Sequence, residues 1–316
     1  MGKARYAAID SGSNTFRLLI AETCSGSKPW NIIHYGHCIT RLGEGLHHTG
    51  LLSEAGMLRA IDAYKAFAAA LAQFNVTPEH TLACATAAVR EASNGADFVA
   101  RVAQEAGIRI RIIDGDTEAA WSLKGACAVL DQQIGSDMLL FDIGGGSTEF
   151  IRAQGTTQID AISRKLGVVK LFEAFLHTDP PTSADYRSVL AAADEHLTIV
   201  ENSWPDRLAP RHMVGTAGTV TTLVATAMGL SEYNADKINN FRMSKTDFFT
   251  LRDKLLAMTH AEREAVPSIE AGRADLIIAG LAIIEAMMLR WQYEELISVD
   301  ASLLEGIWLK ASENKT

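Results

Sequence analysis

Residues 138–148 read Met-Leu-Leu-Phe-Asp-Ile-Gly-Gly-Gly-Ser-Thr, an apolar run broken by Asp142 and closed by three glycines and two hydroxyls. One glycine suffices for a tight hairpin, and each further glycine costs backbone entropy. Gly144-Gly145-Gly146 therefore predicts a sharp turn whose backbone approaches a ligand. Successive N–H groups in such a turn form a concave anion site, to which Ser147 and Thr148 add donors. The spacing fits neither G-x-G-x-x-G nor the P-loop, and the chain beyond it reads as strand rather than helix, which removes dinucleotide-binding and P-loop folds. The same device occurs earlier: an apolar strand ends at Asp10, and Ser11-Gly12-Ser13-Asn14-Thr15 turns into a return strand. The two aspartates are 132 residues apart (142 − 10). Such an echo predicts two related α/β domains facing each other across a cleft, and 316 residues are enough for two cores.

The intervening pattern agrees. Residues 5–10, 16–22 and 30–40 predict three strands, and Ser53 caps a helix with apolar residues at helical spacing. Short strands are expected at 81–85 and 109–113, with a helix over 96–106 between them that stops at Gly107. The second half predicts strands at 138–143 and 148–152. Helices follow near 169–177, 184–202, 219–227, 245–258 and 274–291, then a strand at 296–300 and a last helix from Ser302. Hydrophobic residues make up 48% and charged residues 21%, which suits a packed globular chain. Lys+Arg 29 against Asp+Glu 38 gives a net charge of −9, which argues against nucleic acid as a partner. The apolar stretch 276–289 is too short to span a bilayer and carries Glu285, so it predicts a buried helix and no membrane partner. No signal peptide is evident at the N-terminus. Cys24, Cys38, Cys84 and Cys127 are widely spaced, so neither a zinc site nor disulfides are expected, and a cytoplasmic setting fits.

Asp10 and Asp142 end their strands beside the two turns. A carboxylate next to phosphate repels it unless a hard cation lies between, and Mg²⁺ is held in that way by few carboxylates and several waters. Both aspartates are therefore candidate metal ligands. A third turn, Gly215-Thr216-Ala217-Gly218-Thr219, follows an apolar strand and opens a helix, whose free N–H groups and threonine hydroxyls suit an anion.

These three turns, in this order, resemble the phosphate and adenosine motifs of the actin, sugar-kinase and chaperone ATPase superfamily. Within it the chain resembles the exopolyphosphatase/guanosine pentaphosphate phosphatase family over nearly its whole length. The matching strings include Ile9-Asp10-Ser11-Gly12-Ser13-Asn14-Thr15, Arg41-Leu42-Gly43-Glu44-Gly45, Ala85-Thr86-Ala87-Ala88-Val89-Arg90 and Gly115-Asp116-Thr117-Glu118-Ala119. Asp142 through Glu149 is the most specific; Gly167-Val168-Val169-Lys170, Asp179-Pro180-Pro181, Gly215 through Thr222 and Arg273-Ala274-Asp275 complete the set. The resemblance implies two ribonuclease-H-like (actin-like ATPase) domains with an interdomain cleft. We expect the first over residues 1–118 and the second over 119–316, with a last helix near 302–314 packing back on the first.

It also implies hydrolysis, dependent on Mg²⁺ or another divalent cation, of the terminal phosphate of inorganic polyphosphate or guanosine pentaphosphate. In that reading Glu118 activates water, Arg90 stabilises the leaving oxygen and Glu149 helps place metal or water. Ser13, Asn14, Gly144, Gly145, Gly146, Ser147, Thr148, Gly215, Thr216, Gly218 and Thr219 hold phosphates, and the chain pairs as a homodimer. Two departures from the family pattern stand out. Thr117 precedes Glu118 where many members carry a second acid, and Leu304 replaces an arginine before Glu305. The chain also ends at Thr316 without the helical domain of longer members, which implies short polyphosphate chains. Two alternatives stay open: an ATP-using kinase or ATPase of the same superfamily, and a catalytically weak sensor of alarmone or polyphosphate.

Overall fold

The computed structural model describes residues 4–26, 28–204, 206, 209–270 and 272–313. The chain divides into two units, residues 1–128 with 301–316, and residues 129–300.

The first unit is built on β1 (Arg5–Ser11), β2 (Thr15–Thr23), β3 (Trp30–Ile39), β4 (Thr81–Ala85) and β5 (Ile110–Ile112), ordered β3-β2-β1-β4-β5. β1, β2 and β3 run antiparallel as successive hairpins, while β4 and β5 run parallel to β1 after helical crossovers. β1 is buried from Tyr6 onward, as a central strand covered on both faces must be. Its core gathers Ile9, Phe16, Leu18, Tyr64 and Phe98, each fully or almost fully buried. The Glu54–Gln73 helix supplies Tyr64 and begins where the Ser53 hydroxyl accepts from the Gly56 N–H at 3.1 Å. The Gly95–Ala106 helix stops at Gly107, whose φ of 70° is left-handed backbone that glycine adopts at least cost.

The C-terminal helix, Leu303–Glu313, belongs to this unit, and the buried Trp308 donates from Nε1 to the Tyr6 carbonyl at 3.0 Å. It lies against the Gly115–Cys127 helix at two glycines. A Cβ on Gly125 would fall 2.0 Å from the Ser302 oxygen, and one on Gly306 would fall 1.9 Å from the Trp121 oxygen. The boundary expected after residue 118 would cut the Gly115–Cys127 helix in its first turn. The chain instead divides after Ala128, because the hydrogen bonds of that helix and its glycine contact hold all of it to the first unit. Of the last helix expected near 302–314, Asn314 lies outside the described residues.

The second unit repeats the plan. β6 (Met138–Ile143), β7 (Thr148–Gln154), β8 (Thr157–Arg164), β9 (His212–Thr216), β10 (Arg242–Ser244) and β11 (Glu295–Ser298) are ordered β10-β11-β9-β6-β7-β8. Read from β8, the order β8-β7-β6-β9-β11 matches that of the first sheet, with antiparallel hairpins followed by parallel strands, and β10 adds an antiparallel edge. The duplicated strand–turn–strand device thus sits at the same place in two like sheets. The Ile277–Arg290 helix is buried along nearly its whole length. Its Glu285 is satisfied inside, accepting from Tyr186 Oη at 2.7 Å and Arg252 Nη1 at 2.8 Å. Among the described residues no helix is long and apolar enough to cross a membrane.

Candidate active site

In the first unit the β1–β2 turn is held by its neighbours. Gly12 N–H donates to the Thr15 oxygen at 3.2 Å, while Ser13 and Asn14 expose their side chains. Asp10 is 3% exposed, and its Oδ2 accepts from both Arg17 Nη2 at 2.6 Å and Nε at 3.0 Å. Burial works against the Arg17 charge, but Asp10 outweighs it and holds the guanidinium above its usual range. Expected as a metal ligand, Asp10 thus already has its charge matched by an arginine across the hairpin, where the register sets Asp10 opposite Arg17. Only Oδ1, buried and without a hydrogen-bond partner, is left over.

Arg90 and Glu118 come together. Arg90 lies in the short Ala87–Glu91 helix, and its Nη1 donates to the Ile113 carbonyl at 2.7 Å and to Glu118 Oε2 at 3.4 Å. Both side chains reach solvent, at 33% and 21% exposure, so a ligand can meet them. Glu118 stands in the first turn of the Gly115–Cys127 helix, where a carboxylate is favoured by the helix dipole. Asp114 caps that helix by accepting from the Thr117 N–H at 2.7 Å, and hydrogen bonds from Thr117 hold the Asp114 carboxyl below its ordinary range. The departure at Thr117 is therefore put to use as part of the cap.

In the second unit the glycine turn leaves open space at its backbone. None of Gly144, Gly145 and Gly146 adopts left-handed backbone, so the bend itself does not require three glycines. What they leave is room. A Cβ on Gly146 would meet nothing within 4 Å, and Gly167 packs so tightly on the turn that its Cβ would fall 2.3 Å from the Gly145 oxygen. The Gly144 and Gly145 carbonyls accept from the N–H groups of Val168 at 3.1 Å and Val169 at 3.0 Å. Gly144 N–H donates to the Ser147 oxygen at 2.9 Å, while the N–H groups of Gly145, Gly146 and Ser147 donate to no protein acceptor among the described residues. Three adjacent donors of this kind form an anion-binding nest.

The hydroxyls are mostly turned inward. Thr148, expected to donate to phosphate, is buried and donates instead to the Leu166 carbonyl. Thr219 Oγ1 donates to the Ile143 carbonyl at 3.2 Å, and Thr216 is buried at the end of β9. Ser147 Oγ and Ser163 Oγ both donate to Glu149 Oε1 at 2.8 Å. The register sets Asp142 opposite Glu149 on β7 and beside Thr216 on β9. Two carboxylates directly opposite repel each other, which a hard cation would relieve. Among the described residues no group of three or more His, Cys, Asp or Glu gathers as a metal cage.

The third turn carries a residue absent from the expected set. A Cβ on Gly218 would fall 1.6 Å from Arg273 Nη1, so the guanidinium lies directly over this glycine. Arg273 Nε pairs with Glu270 at 2.8 Å. Its place is fixed by the buried Arg263, which donates to the carbonyls of Ala274 at 2.9 Å and Met258 at 2.6 Å and to Asp179 Oδ1 at 3.3 Å. The Asp179-Pro180-Pro181 and Arg273-Ala274-Asp275 strings are thus joined through one arginine; the adjacency of Arg273 to Gly218 has no sequence signature beyond the string itself. Ala217 opens the helix with a φ of 63°, a left-handed conformation costly for a residue with Cβ.

A profile of the Ppx/GppA phosphatase family matches residues 19–315. Exopolyphosphatase 2 of Mycobacterium tuberculosis is 32% identical over 320 residues, covering 98% of this chain and 99% of that protein. A guanosine-5'-triphosphate,3'-diphosphate pyrophosphatase of Aliivibrio fischeri is 29% identical over 303 residues, and the chain spans only 56% of that longer protein. Among solved structures, a Ppx/GppA family member of Aquifex aeolicus superposes with a TM-score of 0.85 at 28% identity, covering 100% of both chains.

Proposed function

The chain belongs to the Ppx/GppA phosphatase family, and from that premise we propose that it hydrolyses the terminal phosphoanhydride of inorganic polyphosphate or of guanosine pentaphosphate. The observation that carries the reading is the solvent-reaching pair of Glu118 and Arg90 in the first unit. Glu118 accepts a proton from water as the water oxygen attacks the terminal phosphorus. The bridging P–O bond breaks, its electron pair stays on the shortened chain, and orthophosphate leaves. The Arg90 guanidinium stabilises charge on phosphate oxygens through charge-assisted hydrogen bonds.

On the second unit, the N–H groups of Gly145, Gly146 and Ser147 hold phosphoryl oxygens, and the guanidinium of Arg273 adds positive charge beside Gly218. Phosphatases of this family generally depend on a divalent metal. Asp142 and Glu149, opposed in register, are the carboxylates that fit such a cation, whereas Asp10 is engaged by Arg17. A bound cation supplies Lewis-acid polarisation of phosphoryl oxygens.

Purified protein with Mg²⁺ is expected to release phosphate from short polyphosphate, long polyphosphate or guanosine pentaphosphate, run beside ATP. Glu118→Gln is expected to lower turnover by about 100-fold or more, the usual contribution of a positioned general base, while the thermal midpoint stays unchanged. Turnover within a few-fold of wild type would remove Glu118 from the role.

A further inference from the structure

The loop that follows β3 has a feature that the reading above does not use. Arg41 holds φ of +48°, a left-handed conformation that glycine, asparagine or aspartate adopts at less cost. The surroundings enforce it. The N–H groups of Thr40 and Arg41 both donate to the Asn14 carbonyl, at 2.9 and 3.0 Å, and the Gly43 N–H donates to the Ser13 carbonyl at 2.8 Å. Arg59 grips the loop from below, donating from Nε to the Thr40 carbonyl at 2.7 Å and from Nη2 to Glu44 Oε2 at 3.1 Å. Leu42 is fully buried and anchors the loop beside the exposed Arg41.

The loop is therefore clamped to the Ser13–Asn14 turn. Gly43 fills the space between that turn and the helix bearing Arg90: a Cβ there would lie 3.0 Å from Ser13 Cβ and 3.6 Å from Ala88 Cβ. A side chain at that contact would press on Ser13, which would have to give by a few tenths of an ångström. Arg41 itself is exposed, and its guanidinium has no partner among the described residues. The acid of the loop, Glu44, is already taken by Arg59. A rigid, backbone-strained mount thus presents an unneutralised guanidinium beside exposed Ser13 and Asn14. Nothing in the packing requires an arginine there, since its side chain contributes no hydrogen bond to the loop.

We propose that Arg41 is a substrate-contacting residue that binds a phosphoryl group of a polyphosphate chain other than the one hydrolysed. The identity of the ligand rests on the phosphatase reading; the anion-binding role rests on the loop. Without an acceptor of its own, the guanidinium is free to form a two-pronged contact with phosphate oxygens. It adds affinity for the chain and leaves the chemical step to Glu118.

The test compares Arg41→Gly, Arg41→Ala and Arg41→Lys with wild type in two arms. Glycine suits a φ of +48°, so Arg41→Gly keeps the loop, and its thermal midpoint is expected at or above wild type. In the first arm, KM for tripolyphosphate is expected to rise about 10-fold in the Gly and Ala variants, the size of one charge-assisted contact, with kcat within two-fold. The Lys variant recovers part of the loss. In the second arm, tripolyphosphate is titrated calorimetrically into each protein in the Glu118→Gln background, and affinity is expected to fall by the same factor. Unchanged affinity in Arg41→Gly overturns the proposal. A wild type that releases no phosphate from any substrate overturns the phosphatase reading instead, and the titration still decides Arg41.

Discussion

Asp10 and Asp142 occupy matching positions, yet the residue across each hairpin decides what each can do. Opposite Asp10 stands Arg17, which neutralises it; opposite Asp142 stands Glu149, which does not. The sequence displays both aspartates beside their turns but hides this difference, because cross-strand partners depend on register and turn length rather than on neighbourhood in the chain. The Glu118–Arg90 pair was legible as two candidates, though not as one contact. The hydroxyls of Thr148 and Thr219 face inward, each donating to a nearby carbonyl, a placement that their neighbours in the chain do not announce. At this scale a pH effect also follows. Burial, with help from Arg164 and Lys170, pushes the His196 imidazole below its ordinary range, and His212 is lowered for the same leading reason. The folded chain thus favours neutral imidazole, while the unfolded chain takes up protons below a pH of about 6.5. Stability is fully present above that pH and declines as pH falls through it. Urea midpoints are expected to drop between pH 7.5 and 5.5, and His196→Asn is expected to shrink the drop without abolishing it, since His212 remains.

Hairpin strands and capped helices announced themselves because their signals are local. β4 and β6 fall at the expected residues, and Ser53 and Ser244 cap the expected helices by accepting from Gly56 and Asp247. β8 was not anticipated. Thr157–Arg164 is a half-exposed edge strand with little apolar alternation, so its pairing to β7, rather than its composition, makes it a strand. The glycine turn was legible because glycines in excess of what a bend needs signal clearance, and no left-handed residue occurs among Gly144, Gly145 and Gly146. Elements also depend on single ties, of which Arg263 is the clearest. It is 3% exposed and joins the Met258 and Ala274 carbonyls to Asp179. Arg263→Ala leaves buried acceptors unmet and is expected to cost about 3 kcal/mol by denaturant titration. The same variant is expected to weaken substrate binding, because the segment carrying Arg273 over Gly218 loses its anchor. A midpoint within error of wild type would show the tie to be dispensable.

Across the whole molecule, the duplicated sheet was foreseeable from the echo of two turns, whereas the assignment of the C-terminal helix to the first unit depends on contacts that no local pattern encodes. Gly125 and Gly306 let two helices approach until a single methyl group would collide with a backbone oxygen. Gly306→Ala is expected to cost about 1–3 kcal/mol through overpacking and to lower the thermal midpoint by several degrees; an unchanged midpoint would mean that the helix pair gives way more easily than its geometry suggests. The Trp308–Tyr6 hydrogen bond joins residues separated by 302 positions, and that separation has a meaning during synthesis. A ribosome delivers Tyr6 302 residues before the helix residue, Trp308, that covers it. Residues 129–300 emerge in full before that helix does, so the later unit has the means to finish folding while the earlier one waits with its seat for Trp308 uncovered. The newborn chain is thus exposed to misassociation along β1 until the helix bearing Trp308 arrives.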